Sequence, residues 1–257
     1  MVLLLHGWAG TAELNWSHAY GPLAAAGYRI IAVDLPGHGK GARDTPFTLE
    51  GTADAAAQLV RNSGVSKVVV VGHSMGGSIA LLFAHRHPGL TAGLVLMATQ
   101  AVRPGIPPRW LIRSAGHLAA LAPKLVLCRG ARSLLGSDLS RNYWINEELR
   151  GTSIRHLAEA LAAMRQFDAK PWLADIRVPT VVLVTTLDTQ VSPERQRRLA
   201  AAIPGAKVLD VAIDHSDPPS RPGLFPLRGP ERGPSRPRRP SYDGLRSVRA
   251  QERGTLF

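Results

Sequence analysis

The segment VVVVGHSMGGSIALLFAHRHPG, residues 68–89, restricts the possible folds more than any other part of the chain. Its run of valines predicts a strand with both faces covered, and the apolar stretch that includes Gly76 and Gly77 predicts a helix. The strand and the helix follow each other almost directly, so the backbone has to turn sharply at Ser74. A strand that leads straight into a helix is typical of a parallel sheet covered by helices, since parallel strands need a long connection between them.

Short runs rich in valine, isoleucine and leucine alternate with helical stretches along most of the chain. Strands are predicted at residues 2–5, 29–33, 67–71, 93–97, 180–185 and 206–211. Helices are predicted at residues 16–26, 49–62, 75–87 and 193–202. This alternation predicts an α/β fold with a doubly wound, mostly parallel sheet.

Two segments break the alternation and define the predicted domain organisation. Residues 100–175 contain no clear strand but several helix-like stretches, such as 154–165, and they are too many for a loop, so we predict a helical insertion. Residues 216–257 are rich in Pro, Arg, Gly and Ser without any period. That composition predicts a disordered tail. The core of the fold is then predicted to consist of residues 1–99 and 176–215.

Composition and charge exclude several classes of function. The net charge is +12, but the basic residues form no stripe interleaved with aromatic side chains, so no nucleic-acid partner is expected. The single cysteine, Cys128, excludes an internal disulfide and a cysteine-rich zinc site. No apolar run is long enough to span a membrane, and the first residues lack the basic region of a signal peptide, so we expect a cytoplasmic protein.

Ser74 is the first candidate for a catalytic residue. The sequence Gly72-His73-Ser74-Met75-Gly76 fits the pattern G-x-S-x-G between a strand and a helix, which is the context of a nucleophile elbow. The turn is so sharp that the residues two positions before and after the serine must lack bulk. The alternative interpretation is a glycine-rich turn in which the serine has no chemical role.

Two backbone N–H groups are candidates for an oxyanion hole. Such a hole takes one donor from the residue after the nucleophile and another from the loop after a neighbouring strand. Met75 provides the first donor, and Trp8, in the sequence LLLHGWAG after the first strand, provides the second. His6 precedes this turn, and we interpret it, like His38 and His73, as a structural hydrogen-bonding residue rather than as a base.

A carboxylate and an imidazole that could serve Ser74 follow the last two predicted strands. Asp188 lies in the polar loop of TTLDTQVSP, and His215 lies in VAIDHSD. Asp210 and Asp214 are the alternatives to Asp188. Asp214 is adjacent to His215 and Asp210 lies within the strand, and adjacent side chains on an extended segment diverge. We therefore favour Asp188 as the residue that orients His215, with His215 as the base.

The motifs LLLHGWAG, VDLPGHGKG, VGHSMGG, TTLDTQVSP and DH occur in the order and at the spacings of the α/β-hydrolase superfamily, which the chain resembles as far as about residue 215. The resemblance implies a complete set of site residues: nucleophile Ser74, acid Asp188, base His215, and oxyanion donors Trp8 and Met75. It also implies that the insertion at 100–175 is a lid that shapes the choice of substrate. Within the superfamily, the chain is similar to small carboxylesterases and acyl-ester hydrolases, including those that demethylate pimeloyl thioester carriers.

The chain departs from the superfamily pattern in three places. Relatives usually have antiparallel strands before the strand that carries His6, and they have a closing helix after the position of His215. Gly41 stands where relatives often have serine. The first two departures predict a hydrolase scaffold that lacks its first strands and its closing helix.

Serine at the elbow predicts a serine hydrolase that cleaves a carboxylic ester through an acyl-serine intermediate, with a small-molecule ester as its partner and neither cofactor nor metal. Dehalogenase and epoxide-hydrolase chemistry would need a carboxylate nucleophile instead. Acyl transfer, amide hydrolysis and perhydrolysis use the same residues and stay open. A further alternative is a catalytically impaired or non-catalytic relative, in which the missing helix leaves His215 poorly held.

Overall fold

The strands predicted from the sequence form one sheet in the computed structural model, which describes residues 1–102 and 147–215. The strands are β1 Val2–Leu5, β2 Ile30–Val33, β3 Val68–His73, β4 Thr91–Met97, β5 Thr180–Thr185 and β6 Lys207–Val211. They lie in the order β2-β1-β3-β4-β5-β6, and every neighbouring pair is parallel. This arrangement confirms the predicted α/β fold with a mostly parallel sheet.

The α-helices of the described residues are α1 Ala12–Ala25, α2 Leu49–Asn62, α3 Met75–Arg86, α4 Ile154–Gln166 and α5 Pro193–Ala202. Helices α2 and α5 have the predicted bounds, whereas α1 begins ahead of the predicted residue 16. Its start is determined by Thr11, whose side chain accepts a hydrogen bond of 3.2 Å from the Leu14 N–H. The helical pattern is recognisable only from Trp16 onward, so it does not reveal this earlier N-cap.

The alternating side chains of β1 show how the sheet is covered on both faces. Leu3 and Leu5 are buried in one apolar cluster with residues of α2 and α3, whereas Val2 and Leu4 are buried against Trp16 of α1. Successive side chains of a strand point to opposite faces of the sheet. Helix α1 therefore covers one face and helices α2 and α3 cover the other, which is the doubly wound arrangement.

The parallel sheet brings the candidate site residues to one edge. Because the strands all run in the same direction, their carboxyl ends lie at the same edge of the sheet. The segments that follow β1, β3, β5 and β6 contain Trp8, Ser74, Asp188 and His215 respectively. This edge is also where ligands bind in open α/β sheets.

Helix α4 confirms the helix that the sequence predicts inside the insertion. Residues 103–146 and 216–257 lie outside the described part of the chain. The insertion at 100–175 as a lid, the disordered tail and the lack of a closing helix therefore stay predictions. Within the described residues, no helix has both the length and the apolar character needed to cross a bilayer.

Candidate active site

The backbone at Ser74 makes the sharp turn that the sequence predicts. Its φ is 51° and its ψ is −112°, and its N–H donates a 2.9 Å hydrogen bond to the carbonyl of Met97 in the neighbouring strand β4. A Cβ on Gly72 would run into the carbonyl of Gly76, and a Cβ on Gly76 would run into the carbonyl of Leu5. Glycine is required at both positions because the obstacle in each case is backbone, which cannot move aside as a side chain can.

The side chains of Ser74, His215 and Asp188 form a continuous chain of hydrogen bonds. Ser74 Oγ lies 3.0 Å from His215 Nε2, and His215 Nδ1 lies 2.8 Å from Asp188 Oδ2. A carboxylate can only accept hydrogen bonds, so Nδ1 carries the proton, and in the neutral ring Nε2 is then free to accept from the serine. The serine and the aspartate are both buried.

The two alternative acids do not occupy the position next to Nδ1 of His215. Asp210 pairs instead with Arg197, with a nitrogen–oxygen distance of 2.8 Å, and both side chains are about half exposed. Asp214 is exposed beside His215 in the chain. Of the three carboxylates considered from the sequence, Asp188 is the one that contacts the imidazole.

Five donors surround the Asp188 carboxylate, the most distant of them Gln196 Nε2, at 3.5 Å from Oδ2. Its Oδ1 accepts 2.8 Å hydrogen bonds from the backbone N–H groups of Gln190 and Val191, and its Oδ2 accepts from His215 Nδ1 and from the hydroxyl of Thr185, at 2.9 Å. Burial raises the pKa of this carboxyl group, but the hydrogen bonds from His215 and Val191 lower it more, so its pKa lies below the ordinary value. Asp188 is therefore an anion at neutral pH.

Sequence analysis does not identify Thr185 or Gln196 as part of the site. Gln196 belongs to α5 and is fully buried, with its amide directed at Thr185 and at the loop that follows Asp188. One signal was available, because Gln196 lies on the stripe formed by Leu199, Ala200 and Ile203. A polar residue at an apolar position of an amphipathic helix calls for a buried partner.

The loop after β1 lies directly against the nucleophile. A Cβ built on Gly7 would stand 3.5 Å from the Cβ of Ser74. The Gly7 N–H donates a 2.7 Å hydrogen bond to Asn15 Oδ1, and this buried asparagine of α1 has no motif that would mark it in the sequence. Among residues 1–102 and 147–215, no hydrogen-bond acceptor is found for the backbone N–H groups of Trp8 and Met75, and their role as oxyanion donors stays a prediction.

His6 holds this loop through its ring, as its structural interpretation predicts. Its Nε2 accepts from the Leu35 N–H at 2.9 Å, so its Nδ1 carries the proton and donates to the Gly7 carbonyl at 2.8 Å. Burial, together with the nearby His38, lowers the pKa of His6 to about 3. The ring is therefore neutral at physiological pH and has neither nitrogen available for catalysis.

The indole of Trp8 joins the same loop to helix α4. Its Nε1–H donates a 2.9 Å hydrogen bond to the carbonyl of Leu157, in the first turn of that helix. Trp8 is nevertheless 42% exposed as a residue. The residue predicted to supply an oxyanion donor thus also contacts the segment predicted to shape the choice of substrate.

His73 connects the elbow to the segment that carries His215. Its Nε2 donates to the backbone carbonyl of His215 at 3.2 Å, and the centroids of the two rings are 5.4 Å apart. Burial and the nearby His215 lower the pKa of His73 to about 3, so the ring stays neutral. Among the described residues, no group of histidine, cysteine, aspartate or glutamate side chains is arranged to hold a metal ion.

The curated proteins that are similar to most of this chain include two hydrolases with named substrates. The chain is 28% identical over 223 residues to the 2-hydroxy-6-oxo-6-phenylhexa-2,4-dienoate hydrolase of Burkholderia cepacia, and the match covers 80% of this chain and 78% of that protein. It is 29% identical over 218 residues to the pimeloyl-(acyl-carrier protein) methyl ester esterase of Edwardsiella ictaluri, with 79% of this chain and 80% of that protein covered.

Solved structures and a family profile lead to the same family. A thermophilic esterase from Thermogutta terrifontis superimposes with a TM-score of 0.73 at 25% identity, over 85% of this chain and 83% of that chain. Residues 1–218 match the family described as alpha/beta hydrolase fold. That range contains the sheet, the elbow at Ser74 and the segments with Asp188 and His215. The chain therefore belongs to the alpha/beta hydrolase fold family.

Proposed function

We propose that the protein is a serine hydrolase that cleaves a carboxylic ester through an acyl intermediate on Ser74. The observation that carries the proposal is the hydrogen-bond chain from Asp188 Oδ2 through His215 to Ser74 Oγ, with distances of 2.8 Å and 3.0 Å. Such a chain activates a serine because the imidazole accepts its proton while the carboxylate stabilises the imidazolium that forms.

In the first half of the reaction, Ser74 Oγ attacks the ester carbonyl carbon and its proton moves to His215 Nε2. The carbonyl oxygen becomes an oxyanion, which accepts hydrogen bonds from the Trp8 and Met75 backbone N–H groups. When the tetrahedral intermediate collapses, the bond to the alcohol oxygen breaks, and the proton on Nε2 goes to the leaving alcohol. The acyl group then remains as an ester of Ser74.

In the second half, water takes the place of the alcohol. His215 Nε2 removes a proton from the water as its oxygen attacks the acyl carbon, and the second tetrahedral intermediate again places its negative charge at the oxyanion hole. Collapse breaks the bond to Ser74 Oγ, which recovers its proton from the imidazolium. The products are the carboxylic acid and a regenerated serine.

The choice of an ester as substrate is supported by the relatives and by the nucleophile. Two of the similar proteins described above are named esterases, one of them for the methyl ester of a pimeloyl-acyl carrier protein. A serine hydroxyl forms an acyl ester that water can cleave at the same carbonyl carbon, as ester hydrolysis requires. Acyl transfer, amide hydrolysis and perhydrolysis would need the same three residues.

A second candidate is hydrolysis of a 2-hydroxy-6-oxo-dienoate, because the Burkholderia cepacia relative is named for such a substrate. That molecule contains no ester, so the bond that breaks joins two carbon atoms. The two candidates are separated by assaying the purified protein with p-nitrophenyl esters and with a 2-hydroxy-6-oxo-dienoate. Turnover of the dienoate that exceeds turnover of every ester would replace the ester proposal.

The acyl-serine step is tested with a fluorophosphonate probe, which forms a covalent adduct with an activated serine. Mass spectrometry is expected to locate the adduct on Ser74, and Ser74→Ala is expected to abolish both labelling and ester turnover. Ser78→Ala is a matched control, since Ser78 is a buried serine one helical turn further along α3. An adduct on another residue, or a folded wild-type protein that does not react, would refute the proposal.

A further inference from the structure

We propose that Gln196 and Thr185 are positioning residues, which act through the Asp188 carboxylate to hold it toward His215. The inference rests on the proposed function only in that a well-oriented imidazole matters for the reactivity of Ser74. Neither residue contacts the serine or the imidazole, and both are buried behind the carboxylate, with Gln196 on α5 and Thr185 at the end of β5.

The orientation of the Gln196 amide is determined by its backbone partners. Its Oε1 accepts a 3.0 Å hydrogen bond from the Thr185 N–H, and its Nε2 donates a 2.7 Å hydrogen bond to the Val191 carbonyl. A backbone N–H can only donate and a carbonyl can only accept, so the amide fits in one orientation and not in the reversed one. Gln196 thereby connects the end of β5 to the far side of the loop that contains Asp188.

The same amide determines where the Thr185 hydroxyl proton points. Gln196 Nε2 donates to Thr185 Oγ1 at 2.6 Å, so the hydroxyl acts as acceptor on that side. Its one proton is left for Asp188 Oδ2, 2.9 Å away. The direction of donation therefore runs from the amide to the hydroxyl and from the hydroxyl to the carboxylate, and the amide also donates a longer bond of 3.5 Å directly to Asp188 Oδ2.

This relay completes the set of donors around the carboxylate. An ionised carboxylate offers about four acceptor sites, two on each oxygen. The loop N–H groups occupy Oδ1, and Thr185 shares Oδ2 with His215. Rotation of the carboxylate would break hydrogen bonds on both oxygens, so Oδ2 stays directed at His215. Without the Thr185 hydroxyl or the Gln196 amide, that restraint on Oδ2 is lost.

The test uses Gln196→Met, which keeps an unbranched side chain of similar length, and Thr185→Val, which keeps the branched shape without the hydroxyl. Thr185→Ser retains the hydroxyl and serves as the conservative variant. Gln58→Met is the matched control, because Gln58 is exposed on α2 and its amide donates to the exposed Asn62 on the same helix. Melting temperatures identify the variants that are folded at the assay temperature.

The first readout is the proton NMR resonance of the His215 Nδ1–H, which lies downfield when this proton is hydrogen-bonded to a carboxylate and does not depend on turnover. We expect it to move upfield and broaden in Gln196→Met and Thr185→Val, and to stay unchanged in Thr185→Ser and Gln58→Met. The second readout is the rate of fluorophosphonate labelling. It is expected to fall on the order of tenfold in the first two variants, since each loses a side-chain donor to the charged Asp188 carboxylate, the Thr185 hydroxyl or the Gln196 amide.

The double variant of Gln196→Met with Thr185→Val is expected to lose less than the product of the two single losses, because both residues belong to one hydrogen-bond network at Asp188. Folded single variants with a wild-type resonance and labelling rate would overturn the inference, as would a loss in Thr185→Ser equal to that in Thr185→Val. A wild-type protein that shows the downfield proton and its dependence on Gln196 but does not label at Ser74 would refute the proposed function and leave the inference standing. Absence of the downfield proton in the wild type would overturn the inference.

Discussion

The two halves of the candidate site are held in place by different kinds of interaction. On the nucleophile side, the position of Ser74 follows from backbone packing, with Gly72 and Gly76 pressed against carbonyl groups. On the acid and base side, Asp188 is held by hydrogen bonds, several of which come from side chains on other elements. The glycines that this packing requires lie within two residues of Ser74 in the chain, whereas the hydrogen-bond partners of Asp188 on other elements are close to it only in space. The first arrangement is therefore visible as a motif, and the second is not.

The largest expected effect comes from the hydrogen-bonded side. Replacement of Asp188 by asparagine offers an N–H to Nδ1 and favours the wrong tautomer of His215, and in serine proteases the equivalent change lowers kcat by about 10⁴. We expect a loss of that order in ester turnover. Asp210→Asn is the control, since it removes only the exposed pair with Arg197. A greater loss in Asp210→Asn than in Asp188→Asn would show that the wrong acid has been assigned.

On the nucleophile side of the site, substitution of a packed glycine is expected to lower the stability of the fold. In Gly72→Ala, a Cβ meets the backbone of Gly76, which cannot turn aside as a flexible side chain can. We expect the free energy of unfolding to fall by about 1–3 kcal/mol, as overpacking typically causes, with loss of labelling at Ser74. Gly89→Ala has nothing within 4 Å of its Cβ and should leave the urea midpoint nearly unchanged. Equal midpoints for the two variants would contradict the packing argument.

An effect of intermediate size is expected in acid, where the lowered pKa values of His73 and His6 predict a loss of stability. Burial lowers the pKa of each to about 3, from a value of 6.5. Between pH 6.5 and 3 the unfolded chain binds more protons than the native protein, so stability falls as the pH is lowered through that window. His73→Gln removes one of these groups while keeping a donor. Its melting temperature should therefore fall less than that of the wild type between pH 7 and pH 5.

The smallest expected effect concerns the contact between Trp8, in the loop after β1, and helix α4. Trp8→Phe keeps the backbone N–H but loses the indole donor to Leu157. A neutral hydrogen bond corresponds to about twofold to tenfold in rate, and we expect a change of that size in the ratio of turnover for long and short p-nitrophenyl esters. Trp172→Phe, which alters an indole stacked on His85, should leave the ratio unaltered. The same ratio in the wild type and in Trp8→Phe would exclude a role for this contact.

The fold was the part most accessible from the sequence. Strands covered on both faces, such as β5, contain continuous apolar runs, and the turn at Ser74 is flanked by glycines that its packing requires. The three side chains at Ser74, Asp188 and His215 could be predicted because each follows a strand whose carboxyl end lies at one edge of the sheet. The structure brings all three together at hydrogen-bonding distance.

The residues that support the site through hydrogen bonds were harder to predict from the sequence, for a physical reason. Asn15, Thr185 and Gln196 each act by a hydrogen bond to a group that only the folded chain brings near. No local pattern demands an amide or a hydroxyl at such positions. Gln196 was the nearest to being predictable, since it interrupts an apolar stripe. The predictions for residues 103–146 and 216–257 lie outside the described chain.

At Ser74, the stability of the fold and the proposed catalytic role make opposite demands on one residue. A φ of 51° with a ψ of −112° is a region that a residue with a Cβ enters at a cost on the order of 1–3 kcal/mol, and glycine enters it freely. The substitution that most relaxes the elbow is therefore one that deletes the nucleophile. Directed evolution of this chain for heat tolerance alone would therefore select stabilised but inactive variants at position 74. Every round needs a selection for turnover as well.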